Sequence, residues 1–156
     1  MTRQARLAAC LRILGISPKL ETFPERKLLQ KLVYLLQKSG VDLQFCYNWY
    51  LHGPYSPDLT RILYEMTESC SSSPTELNSL EVDRINRLKS FLGEDIRSPD
   101  TLELLVSIHY LRDRARALGA SDEDVIEAIK KTKPYFTDEE IRQCWQRSTQ
   151  FDSIQI

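Results

Sequence analysis

At 156 residues, with 42% apolar and 28% charged residues, the chain has the size and balance of one globular domain that builds its own core. A net charge of −1 and an isoelectric point of about 6.1 fall short of the basic footprint of a dedicated nucleic-acid binder. No apolar run approaches the ~20 residues of a membrane helix, and the first residues lack a signal-peptide core, so a cytoplasmic protein without membrane association is expected.

The charge is unevenly placed. Up to Lys38, eight basic residues face Glu21 and Glu25; from Glu65 onward, eighteen acidic residues face twelve basic ones. A basic first segment suits phosphate and an acidic second half suits a basic partner, but interspersed charge on amphipathic helices reads first as solvated faces.

In chain order, Leu7, Cys10, Leu11 and Leu14 recur at helical spacing and predict a helix over 3–14, stopped by Gly15. Thr22-Phe23-Pro24-Glu25 has the form of a capping box and opens a second helix. Leu28, Leu29, Leu32, Val33, Leu35 and Leu36 cover so much of that helix that it must be buried on more than one side. Gly40 is its natural stop. Between 41 and 51 the period changes to two, with Phe45, Tyr47, Trp49 and Leu51 on one face, which predicts a half-buried strand paired with 41–43 or 77–80. His52-Gly53-Pro54-Tyr55 forms a turn, and Ser56 caps a helix with Pro57 at its first position. That helix carries Leu59, Ile62, Leu63 and Met66.

Ser69 to Pro74 reads as a surface loop. A helix over 80–92 ends at Gly93, and Ser98-Pro99 starts a long one that stops at Gly119. The long helix bears two stripes: Leu102, Leu105, Val106 and His109, and beside it Leu104, Ile108, Leu111 and Ala115. Ser121 caps a helix over 122–132 with Val125, Ile126 and Ile129 inward, and Thr137 to Glu140 boxes the start of a last helix carrying Ile141, Cys144 and Trp145. The tail over 150–156 reads as loose. The expected fold is mainly α, a bundle of six to seven helices with a small β-hairpin or a two- to three-stranded wing, in one domain with a core segment over 24–68 and C-terminal helices over 80–149.

Chemistry is sparse along this chain. The four cysteines are scattered, with no close pair and only His52 and His109 to join them, so neither a metal nor a cofactor is expected. Cys10 and Cys144 read as core residues and Cys70 as exposed. His52 and Ser56 are the nearest approach to a base and a nucleophile, but a helix cap accounts for Ser56 and a turn for His52. His109, on an apolar stripe, reads as a satisfied core histidine. No catalytic residue is expected. Helix, turn, strand and tight turn also suit a winged-helix regulator, in which Arg26, Lys27, Lys31 and Lys38 meet phosphates and the 50–55 turn acts as the wing.

The run KLLQKLVYLLQKSGVDLQFCYNWYLHGPYSPDLTRILYEM resembles the core segment of small prokaryotic proteins that include the YwgA-like group, the Panacea antitoxin domains and the C-terminal region of DarG-type antitoxins. The positions that carry the likeness are Lys31, Leu32, Tyr34, Leu35, Gln37, Tyr50, Gly53, Pro54, Tyr55, Ser56 and Leu59. LELLVSIHYL and the following SDEDVIEAIKKTKPYFTDEEI are similar to the second half of the YwgA-like group. The resemblance implies a helical, non-catalytic module that binds a protein, in several relatives a toxin, and in the DarG case by offering a nucleic-acid-like surface. The DarG macrodomain has no counterpart here, so ADP-ribose hydrolysis is not implied. The expected partner contacts are Tyr50, His52, Gly53, Pro54, Tyr55 and Ser56.

Overall fold

A computed structural model describes residues 2–68 and 77–154. Within them are seven α-helices and one two-stranded hairpin that packs on α2 and α5: α1 (Arg3–Leu14), α2 (Phe23–Lys38), β1 (Asn48–Tyr50), β2 (Gly53–Tyr55), α3 (Pro57–Glu68), α4 (Ser79–Leu92), α5 (Pro99–Leu118), α6 (Asp122–Thr132) and α7 (Asp138–Ile154). A 3-10 turn over Gly93–Arg97 joins α4 to α5. None of the described helices is long and apolar enough to cross a membrane.

Local chemistry sets most helix ends. The Thr22 hydroxyl accepts from the Glu25 amide while the Glu25 carboxylate accepts from the Thr22 amide, and the same reciprocal box opens α7 at Thr137 and Glu140. The Ser98 and Ser121 side chains cap α5 and α6. Asn78 does the same for α4. Gly15 and Gly119 turn left-handed just past α1 and α5.

The two stripes read on the long helix face two different cores. Leu102, Leu105 and Val106 join α1, α2, α3 and α4 in the larger cluster; Leu104, Ile108 and Ala115 join α6 and α7 in the smaller one. Helix α5 is therefore the wall between them. Helix α2 packs along it, buried from Leu29 to Leu36. Cys10 and Cys144 lie in these cores, where burial lifts their thiols to about 12 and about 11. His109 is buried with Nδ1 2.8 Å from the Tyr34 hydroxyl, and burial lowers its affinity for a proton.

Four expectations need correction. Residues 41–47 alternate inward and outward as read, with Val41, Leu43 and Phe45 buried, but among the described residues they pair with no strand. The Gln37 side chain serves instead: it accepts from the Phe45 amide at 2.7 Å and donates to the Phe45 carbonyl at 3.0 Å. The ladder begins only at Asn48, and its partner is Gly53–Tyr55, with Tyr50 opposite Gly53, rather than 41–43 or 77–80. Leu51, read as inward, sits at the hairpin tip and is 85% exposed, because the strand reverses one residue earlier than the alternation requires. Beyond Gln150 the chain is helical to Ile154, and Phe151 is fully buried. The Ser69–Pro74 loop and Cys70 lie outside the described residues.

Candidate functional site

Glu103 stands in the second turn of α5 with no solvent exposure. A carboxylate there must be paired, since an isolated buried charge costs several kcal/mol or more. Its Oε1 accepts from Lys27 Nζ at 2.9 Å; its Oε2 accepts from Lys133 Nζ at 2.7 Å and from the Tyr135 hydroxyl at 2.5 Å. Lys27 also donates to Asp100 at 2.7 Å, one turn earlier on α5. Lys133, fully buried, lies 5.4 Å from the Trp49 ring centroid. One carboxylate thus ties α2, α5, the α6–α7 connection and the hairpin together. Burial works against its charge, but the hydrogen bonds from Lys133, Tyr135 and Lys27 prevail and hold its proton affinity down to about 2. Burial likewise opposes the Lys27 charge, and the bonds to Asp100 and Glu103 outweigh it.

Lys31 lies one turn along α2 from Lys27 and is 2% exposed. Its Nζ donates to the Pro54 carbonyl at 2.7 Å, which anchors β2. Burial pulls this amine down to about 7; Glu103 pulls the other way, and the positive charges of Lys133 and Lys27 add to the fall. Beside it Gly53 has φ of +89°, and a Cβ there would lie 2.3 Å from the Ser107 hydroxyl. Only glycine fits so tight a pass between hairpin and α5. The Ser107 hydroxyl is itself buried without a hydrogen-bond partner among the described residues.

Gln30 repeats the device of Gln37 two turns earlier on the same helix: its amide accepts from the Ser56 amide and donates to the Ser56 carbonyl, both at 2.9 Å. Two glutamines seven residues apart clamp the chain as it leaves and returns along α2. Ser56 keeps the expected capping role, its hydroxyl accepting from the Leu59 amide at 3.4 Å.

Between α2, the hairpin and α3 opens a cleft of about 370 Å³. Phe23, Tyr50, Tyr55 and Tyr64 form its walls, and Arg26, Lys27, Lys31 and His52 supply its basic side. The His52 ring packs on Phe23 with centroids 4.7 Å apart, and Tyr50 meets Tyr55 edge-on at 5.2 Å. His52 Nδ1 stands 3.6 Å from Glu103, beyond hydrogen-bond reach. Other polar groups of the cleft are engaged: Gln30 with Ser56 and Thr60, and the Tyr55 hydroxyl with Thr60 at 2.7 Å.

Of the residues expected to contact a partner, Tyr50, His52 and Tyr55 border this cleft. Gly53 also lines it although buried, while Pro54 and Ser56 are buried away from it, because β2 and the start of α3 are pressed onto α2 and α5. Of the four expected phosphate contacts, Lys31 is buried beneath the hairpin and Lys27 is held by two carboxylates. Arg26 Nη1 donates to the Leu20 and Glu21 carbonyls, and Lys38 stands 3.4 Å from Asp113. Glu103, Lys133, Tyr135 and Ser107 were not foreseen. Their signal was present: LELLVSIHYL places a carboxylate inside a helix too apolar to leave it in water, as KLLQKLVYLL does an amine. Such groups must find one another.

No family model, curated protein or solved structure matches this chain, so the resemblance to the YwgA-like and Panacea group rests on the residues quoted for it.

Proposed function

We propose that this protein is a non-catalytic, antitoxin-like interaction module that binds a partner protein through the hairpin tip and the adjoining cleft. The observation that carries this reading is the concentration of uncovered apolar surface at one place. Leu51 is 85% exposed at the tip, and Phe23, Tyr50 and Tyr64, each 45% exposed, border the same cleft. Large apolar groups gathered on one face are what protein interfaces use as anchors. The ion cluster beneath has a mechanical part in this reading: it holds the hairpin rigid, so that little ordering is lost on binding.

The test is co-expression with the product of an adjacent gene. Co-purification that Leu51→Asp or Tyr50→Ala reduces at least about tenfold, with the melting temperature unchanged, is the expected result. A partner retained fully by both variants would refute the assignment of this face. Nucleic-acid binding through Arg26, Lys27, Lys31 and Lys38 is the weaker reading, since Lys31 lies inside a cleft too narrow for a phosphate backbone and Lys38 stands outside that cleft beside Asp113. A gel shift that weakens steeply with salt would revive it.

A further inference from the structure

We infer that the cleft beside the hairpin binds an aromatic carboxylate, its ring between Phe23, Tyr50, Tyr55 and Tyr64 and its anion on the amine of Lys31 with Lys27 and Arg26 alongside. This rests on the same face as the interaction reading and gives the chemical class that the face accepts.

Three observations carry it. The cleft's volume, about 370 Å³, lies in the range of small-ligand sites, and its walls are aromatic. Its charged lining is cationic, from Arg26, Lys27 and Lys31. Among its neutral polar groups, Gln30, Thr60 and Tyr55 have spent hydrogen bonds on each other and on the backbone, which leaves His52 Nδ1 without a partner among the described residues. A ligand therefore finds flat apolar contact for its body and positive charge for its end. It finds little to read a base edge or a sugar, which argues against a nucleotide. Lys31 has a single acceptor among the described residues, the Pro54 carbonyl, so its amine has donors left over. A carboxylate supplies the pairing that a buried ammonium lacks.

Binding then draws in a proton. The charges acting on the Lys31 amine are Glu103 on α5, Lys133 after α6 and Lys27 on α2; Arg26 and His52 line the same cleft, and Asp100 and Tyr135 reach it through their bonds to Lys27 and Glu103. With burial and these neighbours the free amine is half protonated near neutrality. An anion against it favours the ammonium, taken up from solvent. Affinity is highest below pH of about 7 and falls as pH rises above it, by up to about tenfold per unit until the amine of the complex itself titrates.

The experiment is an NMR titration of the isolated protein with phenylacetate and with its uncharged amide, following the ¹³Cε signal of Lys31 in lysine-labelled material. The expected result is saturable phenylacetate binding with shifts at Phe23, Tyr50 and Lys31. The amide should bind at least about tenfold more weakly, and saturation should raise the Lys31 titration midpoint by about one pH unit or more. Lys31→Arg, with a permanent charge, should bind without the fall above neutrality. Equal binding of acid and amide, an unmoved Lys31 midpoint, or no binding at millimolar concentration would each overturn the inference. A free acid and a protein chain end are told apart by N-acetyl-Gly-Gly-Phe: tighter binding than phenylacetate marks a partner's C-terminus, and weaker binding a free aromatic acid. Both outcomes keep the carboxylate assignment. Because no partner is needed, failure here leaves the co-purification result standing, and failure there leaves this one.

Discussion

Substituting Glu103 by glutamine tests whether one buried carboxylate organises the site. Glutamine keeps the shape but removes the charge that Lys27 and Lys133 share, and Lys133 is fully buried. Breaking a buried pair in this way typically costs about 3–5 kcal/mol. The proton affinity gives a similar size: a carboxyl held at about 2 rather than its ordinary 4.5 corresponds to about 3 kcal/mol at neutral pH. For a chain of this length that lowers the melting temperature by roughly 10 °C. The sign of the pH dependence follows from the depressed value. The stabilisation is complete above pH 4.5 and is lost as pH falls from there through about 2. Thermal melts of wild type and Glu103→Gln at neutral pH and across the acid range measure both effects. The variant should lack this component of acid destabilisation, and adding Lys133→Met should cost less than the two single changes together, since the second removes the orphaned charge. A Glu103→Gln protein that melts within 2–4 °C of wild type, about 1 kcal/mol, would refute the reasoning, as would strict additivity with Lys133→Met.

Two further predictions concern the frame around the site. Gly53→Ala places a Cβ at the Ser107 hydroxyl in a backbone with φ of +89°, and should destabilise by about 2 kcal/mol or more; denaturant unfolding should find the loss smaller in a Ser107→Ala background, where the hydroxyl is gone. Phe151→Ala empties a fully buried position in α7 and should cost about 3–5 kcal/mol, whereas a loose tail would make the change silent in the same assay.

Helix boundaries were legible because their causes are local. A threonine or serine three residues ahead of a glutamate, a proline in the first turn and a glycine past the last act within a few residues of themselves. The two stripes of α5 were equally readable, because a 3.6-residue period turns side-chain spacing into direction. The short strand failed for the complementary reason. Alternation over 41–51 reports which side chains face inward, but pairing depends on what lies alongside, and there Gln37 on α2 takes the place of a neighbouring strand up to Phe45.

The candidate site was only half legible. Tyr50, His52 and Tyr55 drew notice through their composition and turn chemistry, and they border the cleft. Glu103 and Lys133 are thirty residues apart, and Lys27 is farther still, so no window of sequence shows them meeting. The chain by itself determined that α2 and α5 are too apolar to face water, and that each nonetheless carries charge. Only the tertiary structure decided which charges pair, because a buried ion's partner is chosen by the packing of whole helices and not by proximity along the chain.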